Sequence, residues 1–147
     1  MFKFTLEPVL ALKEKIEDSK KRELGVATMH QERIHQEKQF LEKKKEEALI
    51  EAQMKENQFV DLSAVKAFNH YHQFISKTIQ DKDKQLEEAK IKVEEKRHEL
   101  LEAVKERKIL DNLKEIHKEA FVEEEKRDEQ RIMDDIVTYR FGRKERE

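Results

Sequence analysis

The side chains best suited to metal or acid–base chemistry in this sequence are six histidines and 34 carboxylates, and their spacing decides what they can do. His70 and His72 stand two apart, which on a helix turns the rings about 200° from each other; His30 and His35 stand five apart. Neither pair has the i,i+4 spacing that sets two imidazoles on one helix face to hold zinc. The absence of cysteine removes thiolate metal sites and a cysteine nucleophile. A phosphate-cradling loop needs clustered glycines, and the two present, Gly25 and Gly142, lie far apart. Carboxylate pairs such as Asp134–Asp135 are numerous, but a raised pKa needs an enclosed pocket. Whether one exists depends on the elements that carry these residues.

Composition restricts those elements. A length of 147 residues suits one domain or one long element. Charged residues make up 45%, yet 32 basic and 34 acidic side chains nearly cancel to a formal charge of −2. Two glycines and one proline are too few for the hairpins of a sheet protein. Abundant Ala, Glu, Lys, Leu and Arg with helical periodicity reads instead as a coiled coil or long helix. With 36% hydrophobic residues the chain fills a narrow seam, not a thick core. Balanced charge and regular apolar spacing argue against intrinsic disorder. Both signs alternate through stretches such as EKKKEEALIEAQMKE, so nucleic acid, which requires a positive excess on one face, is not an expected partner. No stretch approaches the roughly 20 apolar residues of a membrane span. The missing cysteines fit a reducing compartment without excluding others.

The second half carries the cleaner pattern. Val65, Phe68, His72, Ile75, Ile79, Lys82, Leu86, Ala89, Val93, Lys96, Leu100, Ala103, Arg107 and Leu110 follow an alternating 3-4 spacing, a sustained heptad. The polar members sit between apolar neighbours, so the helix is expected to run through them. Beyond Arg107 the phase drifts to Ile109, Leu113, Ile116 and Ala120, which reads as a stutter or a change of packing partner. In the first half Ala27, Ile34, Leu41 and Ala48 recur every seven residues, with Val9, Leu12 and Ile16 as an earlier stripe in another phase. Between the halves lies ENQFVDLSAVKAF, where Asn57, Asp61 and Ser63 form the one interior cluster of turn and cap residues. Asp61 or Ser63 can cap the second helix, and a reversal is expected at about 57–63.

The expected fold is therefore all-α: one domain, a long antiparallel two-helix coiled-coil hairpin. Helix 1 spans about 6–56 and helix 2 about 64–140, followed by a basic tail at 141–147. At 1.5 Å per residue the arms measure roughly 77 and 115 Å, so helix 2 overhangs at the terminal end. A hairpin two helices wide offers no enclosed pocket, so no catalytic, metal or cofactor site is expected. The start MFKFTLEPVL reads as a helix opening, not a secretory signal. Thr5 is its expected cap, Glu7 suits the first turn, Pro8 takes a position whose N–H stays free, and Phe4 and Val9 have the spacing of a hydrophobic staple.

Two stretches are left for partners. FNHYHQFI sets Tyr71 and Phe74 beside the seam, either as broadened packing near the turn or as an exposed aromatic patch. The tail QRIMDDIVTYRFGRKERE sets Ile132, Ile136 and Tyr139 at helical spacing before a basic end. A terminal amphipathic helix is either docked on its own protein or offered to another, and the overhang favours the second.

Three of these motifs in order, FKFTLEPVLALKEKIE, NHYHQFI and MDDIVTYRFGRK, together with the length and the unequal helices, resemble the flagellar type III export protein FliJ family over the whole chain. The resemblance implies a non-enzymatic protein without cofactor, cytoplasmic and peripheral at the inner face of the plasma membrane at the flagellar base. It implies a stalk similar to the gamma subunit of rotary ATPases. Its partners would be the hexameric export ATPase (FliI-like), the membrane export gate (FlhA-like) and export chaperones. By that resemblance Phe2, Phe4, Leu6, Val9, Leu12, Ile132, Ile136, Tyr139 and Arg140 would meet the ATPase ring, while Tyr71, Phe74 and Thr78 would face the gate or a chaperone. The family shows apolar residues one and two turns after Phe74, where Thr78 and Asp81 stand in this chain. A monomeric hairpin is the expected state. The alternatives are a homo-oligomeric coiled-coil scaffold, a protein docking its N-terminus on lipid, and the stalk of a virulence-type secretion system.

Overall fold

The computed structural model describes residues 1–55 and 61–146, the last without its side chain. It is an all-α helical hairpin: α1 is Glu7–Lys55, α2 is Leu62–Arg146, and no strand occurs among the described residues. Residues 56–60, which take in the first four positions of the expected reversal at 57–63 and Asn57 with them, lie outside the described residues. The second helix begins two residues earlier than expected and runs six further.

The helix starts show which residues cap. At α2, the Asp61 carbonyl accepts from the N–H groups of Ala64 (3.0 Å) and Val65 (3.3 Å), and its Oδ1 accepts from the Ser63 N–H at 3.4 Å. Asp61 is thus the cap, satisfying a donor that the first turn leaves free. At α1 the cap is not Thr5. The Leu6 carbonyl accepts the first helical bond, from the Leu10 N–H at 2.9 Å, and a tight turn from Phe4 precedes it (Glu7 N–H to the Phe4 carbonyl, 3.1 Å). Phe4, the residue that opens this turn, is buried with its ring against His117. Glu7 still lies in the first turn, where the helix dipole favours a carboxylate.

Burial follows one heptad along each helix. On α1 the covered positions run Leu10, Lys13, Glu17, Lys20, Leu24, Ala27, Gln31, Ile34, Lys38, Leu41, Lys45, Ala48 and Ala52. The expected early stripe is therefore one residue out of register for two of its three members: Val9 and Leu12 are exposed and Ile16 is half-covered, while Leu10 and Glu17 are buried. On α2 the covered positions continue in phase through Ala103, Arg107, Leu110, Lys114 and Phe121. Of the drifted stripe expected after Arg107, Leu113 is half-covered, but Ile109 (65% exposed), Ile116 and Ala120 are exposed, so the seam keeps its first phase. Both errors share a cause. Glu17, Arg107 and Lys114 hold seam positions because each has an oppositely charged partner across the seam, so a count of apolar residues loses the phase there.

The chain's contacts group into two parts, residues 18–101 and residues 1–17 with 102–147. In the first, Ile34 of α1 packs on Leu86 and Ala89 of α2, with Ala27, Ile75 and Val93 also buried. Lys82 reaches Glu37 at 2.6 Å and Lys38 reaches Asp83 at 2.5 Å. Lys20, Glu23, Lys96 and Glu99 close a ring of alternating charge with gaps of 3.2 to 3.5 Å. In the second part Arg107 bridges Glu17 and Asp111, Lys13 meets Glu106 at 2.8 Å, and Lys114 meets Glu7 at 2.9 Å. Glu17, 6% exposed, is buried with its charge answered by Arg107.

Candidate functional site

The last stretch of α2 has no helix beside it. The seam ends where Phe2 sets its ring 5.6 Å from Phe121 and Phe4 meets the edge of His117 at 5.7 Å. Continued in phase, the seam would next use Glu124, Asp128, Arg131 and Asp135, all charged. The apolar residues stand one position further on. Ile132, Ile136 and Tyr139, the last 71% exposed, line a shallow groove with Asp135, Arg140 and Arg143. Met133, Val137 and Phe141 add exposed apolar surface on the adjoining face. A run of large apolar side chains bare to water makes this stretch a candidate binding surface.

The nine residues expected to share the terminal surface divide into three groups. Ile132, Ile136, Tyr139 and Arg140 lie together on the groove. Phe2 and Phe4 instead pair with residues 117–121, and Leu6 is half-covered. Phe4 is committed to its own fold, whereas Val9 and Leu12 are exposed on α1. Arg143, not singled out from sequence, completes the groove; its i+11 position from Ile132 continues the same helical stripe. Lys114 is held above its ordinary value first by the hydrogen bond to Glu7, which ties the start of α1 to α2 as a fixed ion pair.

Near the reversal, Tyr71, Phe74 and Thr78 do not form one depression. Tyr71 lines a groove with Ala48, Ala52, Val65 and Phe68, where small residues on both helices leave room. Thr78 lines a different groove with Phe40, Leu41 and Lys82. Phe74 is 69% exposed and belongs to neither. The Thr78 hydroxyl donates to the Phe74 carbonyl at 2.8 Å, so its polar group is satisfied within the helix. Phe40 is the aromatic that sequence reading passed over. It lies on the open side of α1 under the Lys44 ammonium, 5.5 Å from the ring centroid. Its place beside the seam residue Leu41 was the available signal.

Among the described residues no group of His, Asp and Glu is arranged to hold a metal ion, and no helix is long and apolar enough to cross a membrane. The grooves are open and lined by apolar side chains and ion pairs, an arrangement suited to recognising another protein surface. Fold and surfaces together define a class: a heavily charged helical hairpin with exposed apolar and aromatic side chains on both helices. Comparison with known families is specific within that class. The family described as Flagellar FliJ protein matches residues 2–146, and the chain belongs to it. Membership makes it a component of flagellar protein export. No curated protein and no solved structure gave a match.

Proposed function

We propose that this chain is the non-enzymatic stalk of the export apparatus, whose terminal end enters the hexameric export ATPase and promotes its assembly and turnover. The observation that carries this reading is the bare end of α2. Some 25 residues past Phe121 carry Ile132, Ile136 and Tyr139 in one exposed stripe beside Arg140 and Arg143. A stalk inside a rotary ring must present apolar and cationic contacts that successive subunits can take up and release. An exposed stripe on a single helix does that without unfolding the hairpin. Val9 and Leu12 are the N-terminal residues free to join it, and Phe2 ties the chain's start to α2 at Phe121, just before the bare stretch.

The aromatic end near the reversal is assigned in the same proposal to the membrane export gate and to export chaperones. Phe74, Tyr71 and Phe40 supply the exposed rings, the residue type over-represented at binding hot spots. Activity would lie on the cytoplasmic side, against the membrane only through the gate. The family's flagellar character favours this system over a virulence-type one. The test is ATP hydrolysis by the cognate ATPase with the full chain and with a chain lacking residues 132–147. Stimulation by the first and none by the second is expected. Equal stimulation by both would remove the terminal contact.

A further inference from the structure

The bare stripe of α2 has an internal order that the ATPase contact does not use. From Glu125 it reads Glu125, Glu129, Ile132, Ile136, Tyr139, Arg143: acidic at one end, apolar in the middle, basic at the other. The spacing alternates 4, 3, 4, 3, 4 throughout, and the helical turn keeps all six within about 80° of the direction of Phe121. The stripe stands one position beyond the phase of the seam that α1 covers as far as Phe121, and its large apolar members are exposed. Glu125 and Arg143 make no ion pair among the described residues.

We infer that this stripe pairs antiparallel with the same stripe of a second copy of the chain. Laid head to tail, the two stripes match without gaps. Ile132 of one copy meets Ile136 of the other, Tyr139 sets its hydroxyl towards Glu129, and Arg143 faces Glu125. Two-fold symmetry makes each of these contacts twice. The paired length of about 19 residues per copy, near 28 Å of helix, spans more than two heptads. The same device already closes the neighbouring seam within the chain, where Arg107 meets Glu17 and Lys114 meets Glu7 across antiparallel helices. A heterologous partner would need only an apolar groove with an acidic rim. The reversal of charge from one end of the stripe to the other is what a second copy matches.

The contact buries a modest area and is reversible, so it forms at high protein concentration and yields to a stronger partner. Its regulatory consequence rests on the ATPase reading above: pairing covers Ile132, Ile136 and Tyr139 until the ring competes for them, so free stalks do not offer the stripe to other surfaces.

Sedimentation equilibrium on the full chain, with no ATPase present, tests the pairing independently of that reading. The mass is expected to rise from 17.8 kDa towards twice that value with concentration. Arg143→Glu and Glu125→Arg, each at an exposed site on a single helix, should each hold the mass at the monomer value with unchanged helical circular dichroism. An equimolar mixture of the two variants should restore the dimer, because each then supplies the sign the other lacks. The double variant should also dimerise. A wild-type chain that stays monomeric at every concentration, or a dimer that both single variants leave intact, would overturn the inference. Neither result would touch the ATPase stimulation.

Discussion

Ile34 and Phe74 are both large apolar residues on long helices, and the seam separates their roles. Ile34 is 4% exposed against Leu86 and Ala89, so Ile34→Ala should cost about 2–3 kcal/mol, near the low end for such truncations because a two-helix seam can close on the space. Phe74→Ala should change stability by no more than about 0.5 kcal/mol. Urea denaturation followed by circular dichroism compares them, and equal losses would contradict the assignment. The charged seam residues make a second prediction. Glu23, Glu37 and Glu99 are held below the ordinary glutamate value of 4.5, chiefly by hydrogen bonds from Lys96, Lys82 and Lys20 respectively. Their folded values lie below those of the unfolded chain, so their contribution is present above about 4.5 and lost as pH falls through the folded value. Lys20, Lys38 and Lys96 are held above 10.5 by Glu99, Asp83 and Glu23, a contribution present below that value and lost as pH rises through the folded one. Thermal melting at low salt should therefore show a plateau between these limits and a fall on its acid side, reduced by added salt. A melting temperature that rises on acidification would contradict the role of these pairs. At this scale Ala27, Ile34 and Leu86 were legible from spacing alone. The partners of Lys82 and Lys96 were not, because they depend on the register between helices.

At the scale of the element, each helix is set by caps, charge and an uninterrupted heptad. Gly25 lies inside α1 with open space around the position of an added Cβ and no special backbone conformation. Gly25→Ala should therefore stabilise the hairpin by about 0.5–1 kcal/mol through the cost of ordering glycine in a helix. A loss in denaturant midpoint would point to a close approach at that site. The two helices and the Asp61 cap could be read from sequence, since propensity and cap chemistry act locally. The phases at the two ends of the seam could not. Leu10, Glu17, Arg107 and Lys114 keep the repeat, and only the opposite helix shows why a glutamate or a lysine belongs in it. Charged residues in a heptad break an apolar count without breaking the coil.

For the whole molecule, the unequal helix lengths matter most. Eighty-five residues in α2 against 49 in α1 guarantee that one end of α2 outruns its partner, and the N-terminal phenylalanines fix which end. That much was legible, as was the stripe of Ile132, Ile136 and Tyr139. The burial of Phe4 was not, because a short turn ahead of α1 tucks its ring against His117. The central claim is that the bare end of α2 activates the export ATPase while the aromatic end serves other partners. ATP hydrolysis by the cognate hexamer, measured with full-length Ile136→Asp and Phe74→Ala variants, tests it most directly. Ile136→Asp should abolish stimulation with helicity retained, and Phe74→Ala should leave stimulation at the wild-type level. Stimulation that survives Ile136→Asp, or that is lost with Phe74→Ala, would contradict it.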